Sequence, residues 1–134
     1  MFRALDDRTF VAGQIRADDV AKAKALGVAR IVNNRPDHEE PGQPASAEIE
    51  VAARAAGLDY LHIPVAGGIS PDQVEAMAAA VDGGMTLAFC RSGTRSTYLW
   101  ALARKARDGD GVEIMRQAAA AGYDLSPLQG LLMR

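Results

Sequence analysis

Three regularly placed glycines constrain the fold of this chain more than any other feature of its sequence. Gly27, Gly57 and Gly84 each stand two or three residues before an apolar run that is rich in strand-forming residues. The three runs cover residues 30–33, 60–65 and 86–90. Apolar residues at helical spacing lie between them, and parallel strands need crossovers of about a dozen residues, usually helices. The alternation therefore predicts an α/β fold in which helices flank a parallel-rich sheet.

Start and stop signals predict six helices and one further strand around these runs. The clearest start is at residues 70–73, where Ser70, a proline and a capping-box glutamine precede an apolar stripe that reaches Val81. The other helices are predicted from Asp18 or Asp19 to Leu26, from Ser46 to Ala56, from the end of the Cys90 loop to Ala106, over 112–121 and over 127–133. An early strand at residues 9–12 is expected to join the sheet.

Length and charge exclude several classes of function. The 134 residues are predicted to form one domain, and a formal charge of −2 lacks the basic excess that nucleic-acid binding requires. Charged residues interrupt every apolar stretch, so no membrane span is expected, and the absence of an export signal predicts a cytoplasmic location. A single cysteine, Cys90, excludes an internal disulfide and a multi-cysteine metal site, and no cofactor or metal is expected.

Polar segments follow the predicted parallel strands, where open α/β sheets bind their ligands. These segments are residues 33–37, 64–68 and 90–96. The first continues into a polar loop, residues 36–44, that carries Glu39 and Glu40. We therefore expect the cysteine, several arginines and an acidic loop to share one rim of the sheet. Arg35 either joins an anion pocket there or pairs with Asp37 or Glu39.

The segment from Cys90 to Ser96 carries the most specific chemistry. It leads from a buried strand into a helix, and the backbone N–H groups of such a turn converge on one point and bind anions, assisted by the helix dipole. This field, together with Arg91 and Arg95, favours the nucleophilic thiolate of Cys90. The predicted anion site comprises Arg91, Ser92, Gly93, Thr94, Arg95 and Ser96. The Ser96 hydroxyl is expected to hydrogen-bond the cysteine sulfur or a leaving thiolate.

Two other interpretations of Cys90 are open. A lone cysteine at a strand end is most often a small buried residue, but the sequence Arg-Ser-Gly-Thr-Arg-Ser that follows has no role in a core, which favours the reactive thiolate. A non-catalytic module that senses anions or oxidants would also use an activated thiol. The chain contains no second cysteine to resolve a sulfenic acid, which argues against the redox sensor.

Four segments together resemble a known family. They are residues 11–14, residues 31–37 with Glu39 and Glu40, residues 62–65, and residues 90–96. Over about residues 5–107 the chain resembles the bacterial beta-lactamase hydrolase-like, phosphatase-like domain family, which leaves 108–134 as a helical C-terminal extension. The resemblance implies a dual-specificity-phosphatase-like α/β fold and a partner with the metallo-β-lactamase fold. The Cys90 loop alone is similar to the active-site loops of both cysteine-dependent phosphatases and rhodanese sulfurtransferases.

The resemblance to phosphatases predicts a hydrolase acting on a small phosphoester. Cys90 would attack phosphorus, Arg95 would stabilise the phosphoryl oxygens, and a carboxylic acid would protonate the leaving oxygen. We rank Asp37 first as that acid because it follows a strand end and a proline. The other candidates on the rim are Glu39, Glu40 and Asp72. A solvated loop position or a helix cap is the commoner role for each of these acids.

Two departures from the phosphatase pattern favour a rhodanese-type sulfurtransferase as the alternative. Phosphatases of this type have five residues between cysteine and arginine and usually a histidine before the cysteine, whereas this chain has four residues and Phe89. The shorter loop suits a single sulfane sulfur carried as a Cys90 persulfide. No general acid is needed for sulfur transfer, because the leaving sulfite or thiolate is a stable anion. The scaffold resemblance places the phosphatase-like hydrolase first.

Overall fold

A computed structural model describes all 134 residues of the chain. Its five strands are β1 (Arg3–Ala4), β2 (Thr9–Ala12), β3 (Arg30–Asn33), β4 (Asp59–His62) and β5 (Thr86–Phe89). They form one sheet in the order β1-β2-β5-β3-β4, in which only β1 runs antiparallel to its neighbour. The parallel-rich α/β sheet is therefore confirmed. Strand β1 was not predicted, because two residues are too short to show an alternating pattern.

All six predicted helices are present; the first three cross over between successive parallel strands, and the last three follow the final strand. They are α1 (Asp19–Ala25), α2 (Ser46–Ala55), α3 (Pro71–Asp82), α4 (Thr94–Ala106), α5 (Gly111–Ala120) and α6 (Gln129–Leu132), with a 3-10 turn at Ser126–Leu128 before α6. The capping box of α3 is confirmed: the Gln73 N–H donates to Ser70 Oγ at 3.2 Å, and the Ser70 N–H donates to Gln73 Oε1 at 2.8 Å. The predicted last helix is divided into the 3-10 turn and α6.

Helix α2 begins at Ser46 as predicted, but a side chain from another loop binds its first N–H group. Ser46 is the first helical residue, and its hydroxyl lies 2.8 Å from the Tyr60 hydroxyl in the core. The carboxylate of Asp37 accepts the Ser46 N–H at 2.8 Å instead. A side chain from the loop after β3 therefore satisfies one of the free N–H groups of α2.

Two apolar clusters cover the two faces of the sheet. One packs α3, α4, α5 and α6 against the sheet around Trp100 and Leu99, and the other packs α1 and α2 around Ile31 and Phe89. Strand β5 is buried on both faces, as expected for the central strand of a parallel sheet. Because β5 is central and buried, the loop that follows it starts from a rigid position.

The C-terminal segment after α4 is part of the core. Ile114, Ala118, Leu125 and Leu132 are all buried in the cluster that contains Trp100. Removal of this segment would therefore expose apolar side chains of α4. None of the helices has the length and apolarity that crossing a bilayer demands.

Candidate active site

The loop between β5 and α4 is shaped by the hydrogen bonds of its carbonyl groups. The carbonyls of Arg91, Ser92 and Gly93 each accept from a group outside the loop. The donors are the Gln14 N–H at 3.3 Å, the Tyr123 hydroxyl at 3.1 Å and, for Gly93, both the N–H and the hydroxyl of Thr97 at 2.9 and 2.8 Å. All three carbonyls are thus held away from the interior of the loop.

The N–H groups of the same peptides point the opposite way. Every peptide bond in the chain is trans, so a carbonyl and the N–H of the next residue lie on opposite sides of the peptide plane. The Gly93 N–H accordingly donates to the Cys90 sulfur at 3.1 Å. The N-terminus of α4 begins at the next residue and adds further free N–H groups. The structure thus brings together Cys90 and a set of amides typical of an anion-binding nest.

Gly13, at the end of β2, lets the cysteine loop approach closely. A Cβ atom at this position would lie 2.9 Å from the Arg91 carbonyl oxygen, closer than side-chain atoms normally come. The neighbouring Gln14 donates its N–H to Arg91 and accepts from Arg35 Nη1 at 3.0 Å through its side chain. Residues 11–14 therefore brace the site, although sequence reasoning gave them no role beyond the family resemblance.

Arg95, in the first turn of α4, is clasped by Glu39. Its Nη1 and Nη2 atoms donate to the two carboxylate oxygens at 2.7 and 2.9 Å, and Nη1 also donates to the Val65 carbonyl at 2.8 Å. The hydrogen bonds that Arg95 donates to Glu39 raise the pKa of Arg95 above its ordinary value, and the nearby Cys90 sulfur adds to this rise. Three of the five N–H donors of the guanidinium are therefore used, and two remain.

Arg35 is a buried arginine that donates hydrogen bonds to Glu39 and also to Glu40. Its side chain is only 2% exposed, and it donates to Glu39 Oε1 at 2.8 Å and to Glu40 Oε1 at 2.7 Å. Burial lowers the pKa of Arg35, but the hydrogen bonds to Glu39 and Glu40 outweigh it and the net pKa is raised. Of the two roles expected for Arg35, the structure shows the pairing, with Glu39 and Glu40 as partners and not Asp37.

The candidate acids lie in different environments. Hydrogen bonds from Arg95 and then Arg35 lower the pKa of Glu39 to about 2. The Arg35 hydrogen bond also lowers the pKa of Glu40, whose carboxylate is 3.6 Å from the exposed Arg91 guanidinium. Both glutamates are therefore ionised at neutral pH. Asp37 faces the Ser46 N–H, and Asp72 is exposed in the first turn of α3.

The expected contact between Ser96 and the cysteine sulfur is wrong. The Ser96 hydroxyl donates to Asn34 Oδ1 at 2.8 Å, and Asn34 Nδ2 donates to the Ile63 carbonyl at 3.0 Å. Ser96 points towards the end of β3 because it lies on the buried side of α4. It therefore connects the cysteine loop to the strand ends rather than to the sulfur. The other two hydroxyls of the loop hydrogen-bond each other, Ser92 to Thr94 at 3.1 Å.

Cys90 is fully buried at the end of β5, with polar groups beside its sulfur. The residue has no solvent exposure, yet it belongs to neither apolar cluster and lines none of the surface grooves. Its polar neighbours are the Gly93 amide and the Arg95 guanidinium. No three side chains of the metal-binding types gather anywhere in the chain.

Tyr123 contacts the cysteine loop and was not predicted to do so. It follows α5, its hydroxyl donates to the Ser92 carbonyl, and its ring packs against Gly93. Nothing in the local sequence indicates this contact, because Tyr123 is more than thirty positions from the cysteine. The one relevant signal in the sequence is that aromatic residues are scarce, at 5% of the chain, so each of them is a candidate for a specific contact.

A parallel-rich sheet whose central strand leads into an amide loop with a cysteine and an arginine defines a phosphatase-like α/β protein. The model of one family, described as "beta-lactamase hydrolase-like protein, phosphatase-like domain", matches residues 1–108. The chain belongs to this family, as its sequence motifs predict.

Individual relatives agree with this assignment. A beta-lactamase hydrolase-like protein of Xylella fastidiosa is 36% identical over 129 residues, which are 90% of this chain but 29% of the relative, so the chain spans less than a third of that protein. A candidate phosphatase from Neisseria meningitidis superposes with a TM-score of 0.83 at 34% identity, covering 97% of this chain and 94% of that one. A candidate mouse dual specificity phosphatase superposes with a TM-score of 0.68 at 19% identity. The match covers 98% of this chain and 83% of that one. The dual-specificity-phosphatase-like fold is confirmed.

Proposed function

We propose that this protein is a cysteine-dependent sulfurtransferase that carries sulfane sulfur as a persulfide on Cys90. One observation carries the proposal: the acids next to the cysteine loop both bind arginines, Glu39 through Arg95 and Arg35 and Glu40 through Arg35. The loop therefore has a nucleophile and a cation beside it but no adjacent carboxylic acid. Transfer of sulfane sulfur is a reaction that requires only the first two.

The sulfur-transfer steps balance without a proton. The Cys90 thiolate attacks the outer sulfur of a thiosulfate-like donor, a new S–S bond forms, and the donor's S–S bond breaks with its electron pair leaving on sulfite. The total charge is the same before and after. In the second step an acceptor thiolate or cyanide attacks the terminal sulfur of the persulfide and releases the Cys90 thiolate. Displacement of a phosphomonoester, in contrast, needs one proton for the leaving alkoxide.

The size of the loop supports the same proposal. Four residues separate Cys90 from Arg95, and the Gly93 N–H already lies 3.1 Å from the sulfur. Such a loop holds one added sulfur atom near the amides, whereas a phosphoryl group brings three oxygens that all need donors. Arg95 has two N–H donors left for a donor anion, and the exposed Arg91 adds charge at the entrance.

Phosphate-ester hydrolysis is the second candidate, favoured by the family and by the 34%-identical candidate phosphatase. In that reaction Cys90 would form a phosphocysteine while a carboxylic acid protonates the leaving oxygen. Asp37 would have to release the Ser46 N–H to serve as the acid, and Asp72 would have to approach from α3. Both roles require the acid itself to leave its present position, a step that sulfur transfer does not need.

The decisive experiment assays the purified chain and its Cys90→Ser variant with two substrates. With thiosulfate and cyanide we expect thiocyanate formation that falls to background in the variant. Intact mass after thiosulfate alone should show a gain of about 32 Da on the parent chain and none on the variant. Cys90-dependent hydrolysis of an aryl phosphate, without thiocyanate formation, would establish the phosphatase instead. If neither substrate is turned over in a Cys90-dependent way, the protein is instead a non-catalytic module.

Asp37→Asn and Asp72→Asn test the acid directly. Asparagine is as good a helix cap as aspartate, so Asp37→Asn removes the acid while keeping the contact to α2. We expect sulfur transfer to change less than about threefold in either variant. Loss of a true general acid slows a reaction by about 10²–10⁴-fold, so a drop of that size in aryl phosphate hydrolysis would identify the acid.

We also propose that the persulfide passes to a thiol whose product is used by a metallo-β-lactamase-fold domain. The support is the family and the length of the Xylella relative, of which this chain covers 29%. A small thiol persulfide made by this chain should then be consumed when such a domain is added. Accumulation of the persulfide at the same rate with and without that domain would contradict the proposal.

A further inference from the structure

We infer that Tyr123 is a positioning residue for Cys90, which acts through the peptide bond between Ser92 and Gly93. The inference rests on the proposed role of Cys90 as a nucleophile and adds a residue outside the region that matches the family. The family model ends at residue 108, whereas Tyr123 follows α5. Its role is to aim one amide of the loop at the sulfur.

The geometry of one peptide group carries the inference. The Tyr123 hydroxyl donates to the Ser92 carbonyl oxygen at 3.1 Å, and the N–H of the same peptide group donates to the Cys90 sulfur at 3.1 Å. The two hydrogen bonds leave this trans peptide in opposite directions, so the first sets the orientation of the second. Donation to the carbonyl also polarises the peptide and strengthens its N–H as a donor. The chain of groups is therefore suited to stabilising negative charge on sulfur.

Gly93 and Arg3 hold the tyrosine in place. A Cβ atom at Gly93 would overlap the Tyr123 hydroxyl, and Gly93 has a φ of +91°, which favours glycine. On the other side, the Arg3 guanidinium lies 5.8 Å from the centre of the ring and donates to the Ala121 carbonyl at 2.8 Å. The ring therefore has little freedom to move away from the loop.

The phenol is suited to act as a donor. Burial raises the pKa of Tyr123, the charge of Arg3 opposes this, and the Cys90 sulfur adds to the rise. The hydroxyl thus keeps its proton at neutral pH. The other groups that face Cys90 are Arg95 and, through it, Glu39, and a change at Tyr123 leaves both in place.

The test compares Tyr123→Phe with Tyr98→Phe, a half-buried tyrosine of α4 whose hydroxyl takes no part in the hydrogen bonds of the loop. The readout is the rate of Cys90 alkylation by iodoacetamide as a function of pH. In Tyr123→Phe we expect the rate near pH 7 to fall about three- to tenfold and the midpoint of the profile to move to higher pH, because one hydrogen bond is lost. Tyr98→Phe should match the parent chain.

Two results would overturn the inference. A Tyr123→Phe profile that superposes on the parent profile shows that the hydroxyl does not act on the sulfur. An equal shift in Tyr98→Phe shows a general loosening of the fold, which thermal unfolding of both variants would record. Alkylation involves neither thiosulfate nor phosphate, so this test stands even if the sulfurtransferase proposal is wrong.

Discussion

The cysteine loop, residues 90–96, and the rim loop, residues 36–44, meet at Arg95 but are stabilised in different ways. In the cysteine loop the backbone carbonyls accept from neutral groups, and the Gly93 N–H donates to the Cys90 sulfur. In the rim loop they are made largely by ionised side chains, in which Glu39 and Glu40 bind arginines. The backbone of the cysteine loop is therefore held by interactions that pH and salt barely affect, whereas the rim loop is held by interactions that both can weaken.

This difference explains how a buried cysteine can meet a substrate. An anion that approaches Arg95 competes with the Glu39 carboxylate for the same guanidinium. The cysteine loop does not need to rearrange, because the Gly93 amide already faces the sulfur. We expect substrate binding to displace the rim loop and to leave the nucleophile where it is.

The largest effect on the rim is expected from Arg35→Met, which keeps most of the side-chain volume but removes its three charge-assisted hydrogen bonds. We expect a loss of about 3 kcal/mol in the free energy of unfolding, measured by urea denaturation. The matched control is Arg107→Met, whose ion pairs with Glu75 and Asp82 lie on the surface, and we expect little change there. Equal losses in both variants would mean that burial adds nothing to the Arg35 cluster.

The second-largest effect is expected from Gly93→Ala, which changes the backbone of the cysteine loop. The added Cβ forces a residue with φ +91° into an unfavourable region and overlaps the Tyr123 hydroxyl. We expect a loss of about 2 kcal/mol in unfolding free energy and slower alkylation of Cys90. Gly68→Ala is the control, because nothing lies near its added Cβ. Normal alkylation in Gly93→Ala would show that the loop tolerates a different backbone path.

Contacts between residues close in sequence can be predicted from the sequence, whereas contacts between distant residues cannot. The strand runs and the α3 capping box depend on neighbouring residues, and the structure contains both. The acceptor of Ser96 and the donor to Ser92 lie 62 and 31 positions away, and only tertiary packing brings them close. Asp37 illustrates the limit. Its position after a strand suggested an acid, but the start of α2 uses its carboxylate.

The smallest effect is the pH dependence that the rim loop adds to stability. Arg95 and Arg35 lower the pKa of Glu39 from the ordinary value of 4.5 to about 2 in the folded chain. A lowered folded-state pKa stabilises the fold fully above pH 4.5, and this contribution is lost as the pH falls towards 2. Glu39 is partly exposed, so we expect about 1 kcal/mol across this window.

Glu39→Gln should remove that component, so that its unfolding free energy falls less steeply between pH 4.5 and 2 than that of the parent chain. Glu48→Gln, an exposed position in the first turn of α2, should leave the slope unchanged. The variant also separates the two regions functionally. Without the carboxylate, Arg95 is more available to anions, so the KM for thiosulfate should fall while Cys90 alkylation keeps its pH profile. A change in that profile instead would mean that the rim loop contributes to the ionisation of the nucleophile, and the two loops would have to be treated as one electrostatic unit.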